Sequence, residues 1–251
     1  MRRTDRLLWT PYLGVCLEDL STTNVSRDLT LVSMIKTRQV LERAFYSPPS
    51  SPTSAPEIPA DFVAAMLHTE LDKLCASPAE NPIISCQITY ASFAISEFAL
   101  TLASPDPQHL HKTYQALESY FKIFLAFQPN EYHGFTLAEL YQLMHATLST
   151  RKLVSQLATG AYDERRVGRL ESWYQQARNN LKDASTCPGA KADGRAAVFG
   201  KLAGMLETFG GGEMEASRHP TDNGFDIGGV ASDMVPGEDW LEVMDQFGWT
   251  F

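Results

Sequence analysis

Cysteines are few and scattered in this 251-residue chain. Cys16, Cys75, Cys86 and Cys187 form no C-x-x-C pair, so the ligand spacing of a zinc ribbon or finger is missing. Four distant thiols make no disulfide framework either, and they read as the reduced thiols of an intracellular protein. No run of eighteen apolar residues occurs, which argues against a membrane-spanning helix. The start, MRRTDRLLWTPYLG, is basic but reaches Pro11 without a long apolar stretch, a poor fit to a secretory signal. Long alternating runs and Asn-Gly turns are absent from the first 212 residues, so the usual signals for strands and hairpins are missing. Those residues hold 21 acids and 20 bases. So neutral a body lacks the dense Lys/Arg face that a duplex binder uses to release counterions. Its densest basic cluster, Arg165-Arg166-Val167-Gly168-Arg169, is short and lies beside acids.

Chemical signatures are also sparse. A nucleophile elbow, a Walker loop, a dinucleotide glycine fingerprint and a zinc-protease helix are all missing. Gly224-Phe225-Asp226-Ile227-Gly228-Gly229 has neither the preceding strand nor the following helix of a phosphate loop, and reads as linker. His109 and His111 are two apart, a spacing that puts them on different faces of a helix. His133 and His145 stand alone and read as surface or satisfied core residues, because a metal needs more ligands. Glu70 and Asp72 cannot face one another on one helix as an acid/base pair. Tyr114, Tyr120, Phe121, Phe124 and Phe127 read as core before they read as a ligand pocket, since such pockets are few per protein. The expectation is therefore a protein that is not an enzyme, with no catalytic residue, no metal and no cofactor.

What the chain does have is helical periodicity and 44% apolar residues, enough for a sizeable core. A helix starts near Ser26, read as its N-cap, with Leu29, Val32, Ile35, Val40 and Leu41 near one stripe. Prolines and serines from Ser47 to Pro56 form a linker. A second helix covers Ala60 to Cys75, with Phe62, Val63, Met66, Leu67, Leu71 and Leu74 expected inward. A third, Ile83 to Leu102, is apolar on most faces and belongs at the centre of a bundle. After Pro105 and Pro107, with Asp106 placed to cap, a fourth carries Leu110, Tyr114, Leu117, Phe121 and Phe124 up to Pro129. Thr136 and Glu139 make a capping-box pattern for a fifth, which runs to the Gly160 stop. A sixth follows Asp163. A seventh spans about Ala192 to Phe209 and ends at the triple glycine 210–212.

The remaining segment, 213–251, carries nine acids and one base, or −8 of the chain's net −9. It ends GEDWLEVMDQFGWTF, where acids alternate with Trp240, Leu241, Val243, Met244, Phe247 and Trp249. That composition marks disordered activation segments that fold on a partner.

One resemblance goes beyond composition. Leu8-Trp9-Thr10-Pro11-Tyr12-Leu13 leads into a helix holding Asp28, Leu31, Arg38, Gln39 and Glu42, and then into the Pro48–Pro56 loop. This resembles the tryptophan-and-leucine segment, "D-x-x-L … R-x-Q-x-x-E" helix and variable loop of fungal binuclear zinc-cluster transcription factors. Glu70 and Leu71 are similar to the family's "L-x-x-E-L" helix. The stretch from Ile88 to Phe93, with Glu97-Phe98-Ala99-Leu100, is similar to its tyrosine-bearing helix. The layout is similar from about Leu7 to Phe209, with specific motifs only in the first half. The family's DNA reader, six cysteines in about thirty residues, has no counterpart here, so the resemblance covers the regulatory region alone. It implies an all-helical regulatory domain, a nuclear location and control of gene sets, including metabolic or secondary-metabolite genes. It carries over no catalytic residue.

The sequence thus predicts an all-α, multi-helix regulatory domain over 1–212 (loop 47–59) and a largely disordered acidic aromatic tail over 213–251. Trp240, Leu241, Met244, Phe247 and Trp249 are the candidate partner-binding residues, offered as a short amphipathic helix to a coactivator or mediator-type protein. A homodimer, or a heterodimer with a full-length regulator, is a further expected partner, with no nucleic acid and no membrane contacted by this chain. The competing readings are a helical scaffold or adaptor, a dominant-negative dimerisation partner, and a helical enzyme or ligand sensor with a cavity beneath the Tyr114–Phe127 helix.

Overall fold

Proline and hydroxyl signals set the helix starts. Thr10 caps the first helix, its Oγ1 accepting from Leu13 N at 3.3 Å, and Pro11 takes the first-turn position where no N–H is needed. Nine α-helices and one 3₁₀ turn occur among the described residues, with no strand: α1 Pro11–Ser21, α2 Ser26–Tyr46, α3 Ala60–Cys75, α4 Pro82–Leu102, α5 Pro107–Phe124, the 3₁₀ turn Pro129–Gly134, α6 Leu137–Ala158, α7 Glu164–Thr186, α8 Pro188–Ala192 and α9 Ala196–Gly211. The computed structural model describes residues 9–23, 25–46, 59–75, 81–102, 107–158, 164–192 and 194–211. The fold is all-α, as the periodicity predicts. A compact unit covers residues 1–203, and the division from the residues that follow lies inside α9.

In the first unit α4 is central and packs against α2, α3, α5 and α6. Its apolar composition is what a helix with neighbours on most sides needs. By length and hydropathy alone α4 would pass for a membrane span, but most of it is buried inside the protein. Phe93, Ala94 and Ile95 are completely buried. α5 shows the clean stripe of an amphipathic helix: Leu110, Tyr114, Leu117, Phe121 and Phe124 face the core. Thr136 begins α6 through the reciprocal capping pattern: its Oγ1 accepts from Ala138 N at 3.2 Å, and its own N–H donates to Glu139 Oε2 at 2.7 Å.

Several details differ from the expectation. Ser26 is the first helical residue of α2 rather than its cap, since the Val25 carbonyl accepts from both Asp28 and Leu29 N–H. Leu29, expected on the stripe, sits in that first turn and is exposed, while Val32, Val40, Leu41 and Ala44 are buried. Phe62 and Met66, expected inward, are exposed. They lie on the opposite side of α3 from Ala64, Leu67 and Leu71, whose small and aliphatic face packs inward. α1, α8 and the 3₁₀ turn had no counterpart in the sequence reading.

Candidate functional site

Two polar clusters stand out in this apolar bundle. The first is a buried seam between α4 and α6. Gln87 Nε2 donates to Glu139 Oε1 at 2.7 Å, Tyr90 Oη lies 3.1 Å from His145 Nδ1, and Ser149 Oγ donates to Glu97 Oε1 at 2.6 Å. The pairs ascend together along both helices, so α4 and α6 run parallel, with α5 between them in sequence. His145 Nε2 is 3.1 Å from Glu97 Oε2, within ion-pair distance. Tyr90, Glu97, His145 and Ser149 are each under 10% exposed, so water cannot replace any of these partners. Burial alone pushes the Glu97 carboxyl upward. The facing His145 imidazole, the Ser149 hydroxyl and Lys152 outweigh it and hold the group below the usual carboxylate range.

Around the seam the rings close tightly. Tyr90 stacks edge-on against Phe93, Tyr120 and His145, with centroids 6.2, 5.7 and 5.9 Å apart. Phe124 meets Tyr132 and Phe135 of the 3₁₀ region at 5.5 and 5.4 Å. That region is pinned by Asn180 Nδ2 donating to Tyr132 Oη at 3.0 Å and by Arg195 Nη1 donating to the Phe135 carbonyl at 2.8 Å. Tyr114, Tyr120, Phe121 and Phe124 are buried and belong to the core, while Phe127 of the same set is half-buried. The Cys86 thiol is pushed up to about 12 by burial and by Glu139, leaving it protonated and unreactive near neutrality.

The second cluster is an open cleft of about 100 Å³ between α3, α4 and α5, lined by Asp61, Ala64, Ala65, His68, Ser96, Ala99, His109 and Lys112. Small side chains make the space. His109 Nε2 bonds to Asp61 Oδ1 across the rim. His68 Nε2 lies 3.3 Å from Ser96 Oγ. Ser96 donates its hydroxyl proton to the Ser92 carbonyl at 2.9 Å, so His68 is the donor in that contact. Burial first, and then Lys112, lower the His68 pKa, with Asp72 opposing.

The residues singled out from the sequence scatter. His109 joins the cleft, His145 the seam, and His133 is exposed. Glu70 pairs with Arg43 of α2 at 2.7 Å, away from either cluster. Trp240, Leu241, Met244, Phe247 and Trp249, and the whole tail 213–251, lie outside the described residues, as do the linker 47–58, Asp106 and Gly160. Sequence reasoning missed Glu97, Tyr90 and Ser149, and also Asp61, His68 and Lys112. A signal for the seam was present: Glu97 is the one charged residue in the most apolar long helix. No group of three or more His, Cys, Asp or Glu able to hold a metal occurs among the described residues. Set beside the family models, the curated proteins and the solved structures, the chain matches none of them. What the fold defines is the class of an all-α helical domain.

Proposed function

We propose that the chain is a transcription regulator: the regulatory portion of a zinc-cluster type factor, acting in the nucleus through protein partners. The acidic, aromatic composition of 213–251 carries this reading. Acids interleaved with Trp240, Leu241, Met244, Phe247 and Trp249 suit a segment that is steered electrostatically to a coactivator and anchored by aromatic side chains. The motif resemblance supports it from the other end of the chain. Asp28, Leu31, Arg38, Gln39 and Glu42 lie on α2, and Arg38 and Glu42 pair at 3.5 Å. Glu70, of the next motif, receives Arg43 from α2. Target genes of a metabolic or secondary-metabolite set follow from the same resemblance.

The test is a reporter driven by residues 1–251 fused to an unrelated DNA-binding domain, with and without 213–251. Tail-dependent activation supports the reading; activation by neither form removes it. A second reading, a helical adaptor or dimerisation partner, draws on exposed apolar side chains. Trp9, Tyr12 and Val15 at α1, Leu29 and Leu31 on α2, and Phe62 and Met66 on α3 all face outward, a composition that suits protein contact. Stable co-purification with another protein, without any effect on transcription, selects that reading.

A further inference from the structure

The α3/α4/α5 cleft has an imbalance that its own residues do not resolve. Asp61 is engaged by His109 at the rim, and Asp61 and Lys112 are both exposed. Lys112, also lining the cleft, makes no ion pair among the described residues. It sits close enough to His68 to disfavour that imidazole's protonation. Two groups that carry or can carry positive charge therefore face one space, with Asp72, four residues on from His68, and the rim carboxylate of Asp61 as the counter-charges among the described residues. The floor is apolar and small, from Ala64 and Ala99.

We propose that this cleft binds a small oxyanion, a phosphate or a carboxylate, between Lys112 and His68. The ammonium supplies the charge. The His68 Nε2–H, held by Ser96 only through a long 3.3 Å contact, turns to the stronger ionic acceptor. Asp61 stays with His109 and does not compete for Lys112. Occupancy raises the affinity of His68 for a proton, and by linkage binding tightens as pH falls through the His68 titration. The groups facing it are Asp61 and Asp72 from α3, Ser96 from α4, and His109 and Lys112 from α5. This site is independent of the regulatory reading and survives the failure of that reading.

The experiment follows the His68 and His109 imidazole NMR signals in the full chain as inorganic phosphate or acetate is added at fixed ionic strength, with chloride as the control. The expected result is a saturable shift at millimolar anion that chloride does not reproduce. Saturation by phosphate alone assigns a phosphate ligand; saturation by both anions assigns the wider carboxylate-and-phosphate class. Lys112→Met weakens binding about tenfold or more, the scale of one charge-assisted contact. Ala65→Leu, which fills the mouth from an exposed position, abolishes it. Non-saturating shifts, an equal response to chloride, or unchanged affinity in K112M would each overturn the site.

Discussion

The seam and the cleft use nearly the same side chains to opposite ends. Each combines an imidazole, a carboxylate and a serine contributed by neighbouring helices. In the seam, Glu97 and His145 are sealed between α4 and α6, and every partner is a protein group. In the cleft, Asp61 and Lys112 reach solvent, and space remains between α3 and α5. Burial, not residue type, sets the energetic stakes. Removing one partner from the seam strands a charge in a medium that cannot solvate it, whereas water fills any vacancy in the cleft. The seam thus behaves as structure, and the cleft is free to serve a ligand.

The sharpest way to break this contrast is His145→Leu, which leaves Glu97 without its main counter-charge. It should cost about 3–5 kcal/mol in denaturant unfolding, while the double variant H145L/E97L should recover most of that loss. A deficit that persists in the double variant would mean that packing, not charge, explains the single one.

Acid titration sharpens the same point. Glu97 has a folded-state pKa below its unfolded value of 4.5, so its stabilising contribution is complete above that value. It is lost as pH falls through the folded-state pKa. Unfolding curves measured down the acid limb should therefore show a shallower pH slope for Glu97→Gln than for the parent chain.

Tyr120 offers a smaller effect of opposite sign. Its hydroxyl is fully buried and has no hydrogen-bond partner among the described residues. Tyr120→Phe should be neutral or stabilising by up to about 1 kcal/mol, and a clear loss of stability would reveal a partner for the hydroxyl. Smallest of all, Asp61→Asn at the wet rim should change stability by less than about 1 kcal/mol. His68, whose pKa is lowered by burial, favours the folded state above its unfolded value of 6.5. That contribution fades as pH falls toward the folded-state pKa, and His68→Gln should remove this part of the pH profile.

Much of the fold was legible because helical period and proline stops are local signals. The bounds of α3, the central place of α4 and the Thr136–Glu139 start of α6 all follow from residues within a turn of one another. The choice of inward face was less legible. α3 has Phe62 and Met66 on one side and Ala64, Leu67 and Leu71 on the other, and periodicity does not say which side meets α4. Helix packing selected the smaller side, which permits close approach. The clusters were hardly legible at all. Glu97 meets Ser149 across 52 residues of sequence, and Asp61 meets His109 across 48; no local pattern encodes such pairs. Only the oddity of one acid within α4 hinted at the seam.

In the proposed regulator, 213–251 carries the activity in its aromatic side chains. The most direct measurement is reporter output from residues 1–251, fused to an unrelated DNA-binding domain, with Trp240, Phe247 and Trp249 all changed to Ala. The unsubstituted fusion should activate, and the triple variant should fall to background with the helical content of the body unchanged. Equal output from both fusions would contradict it.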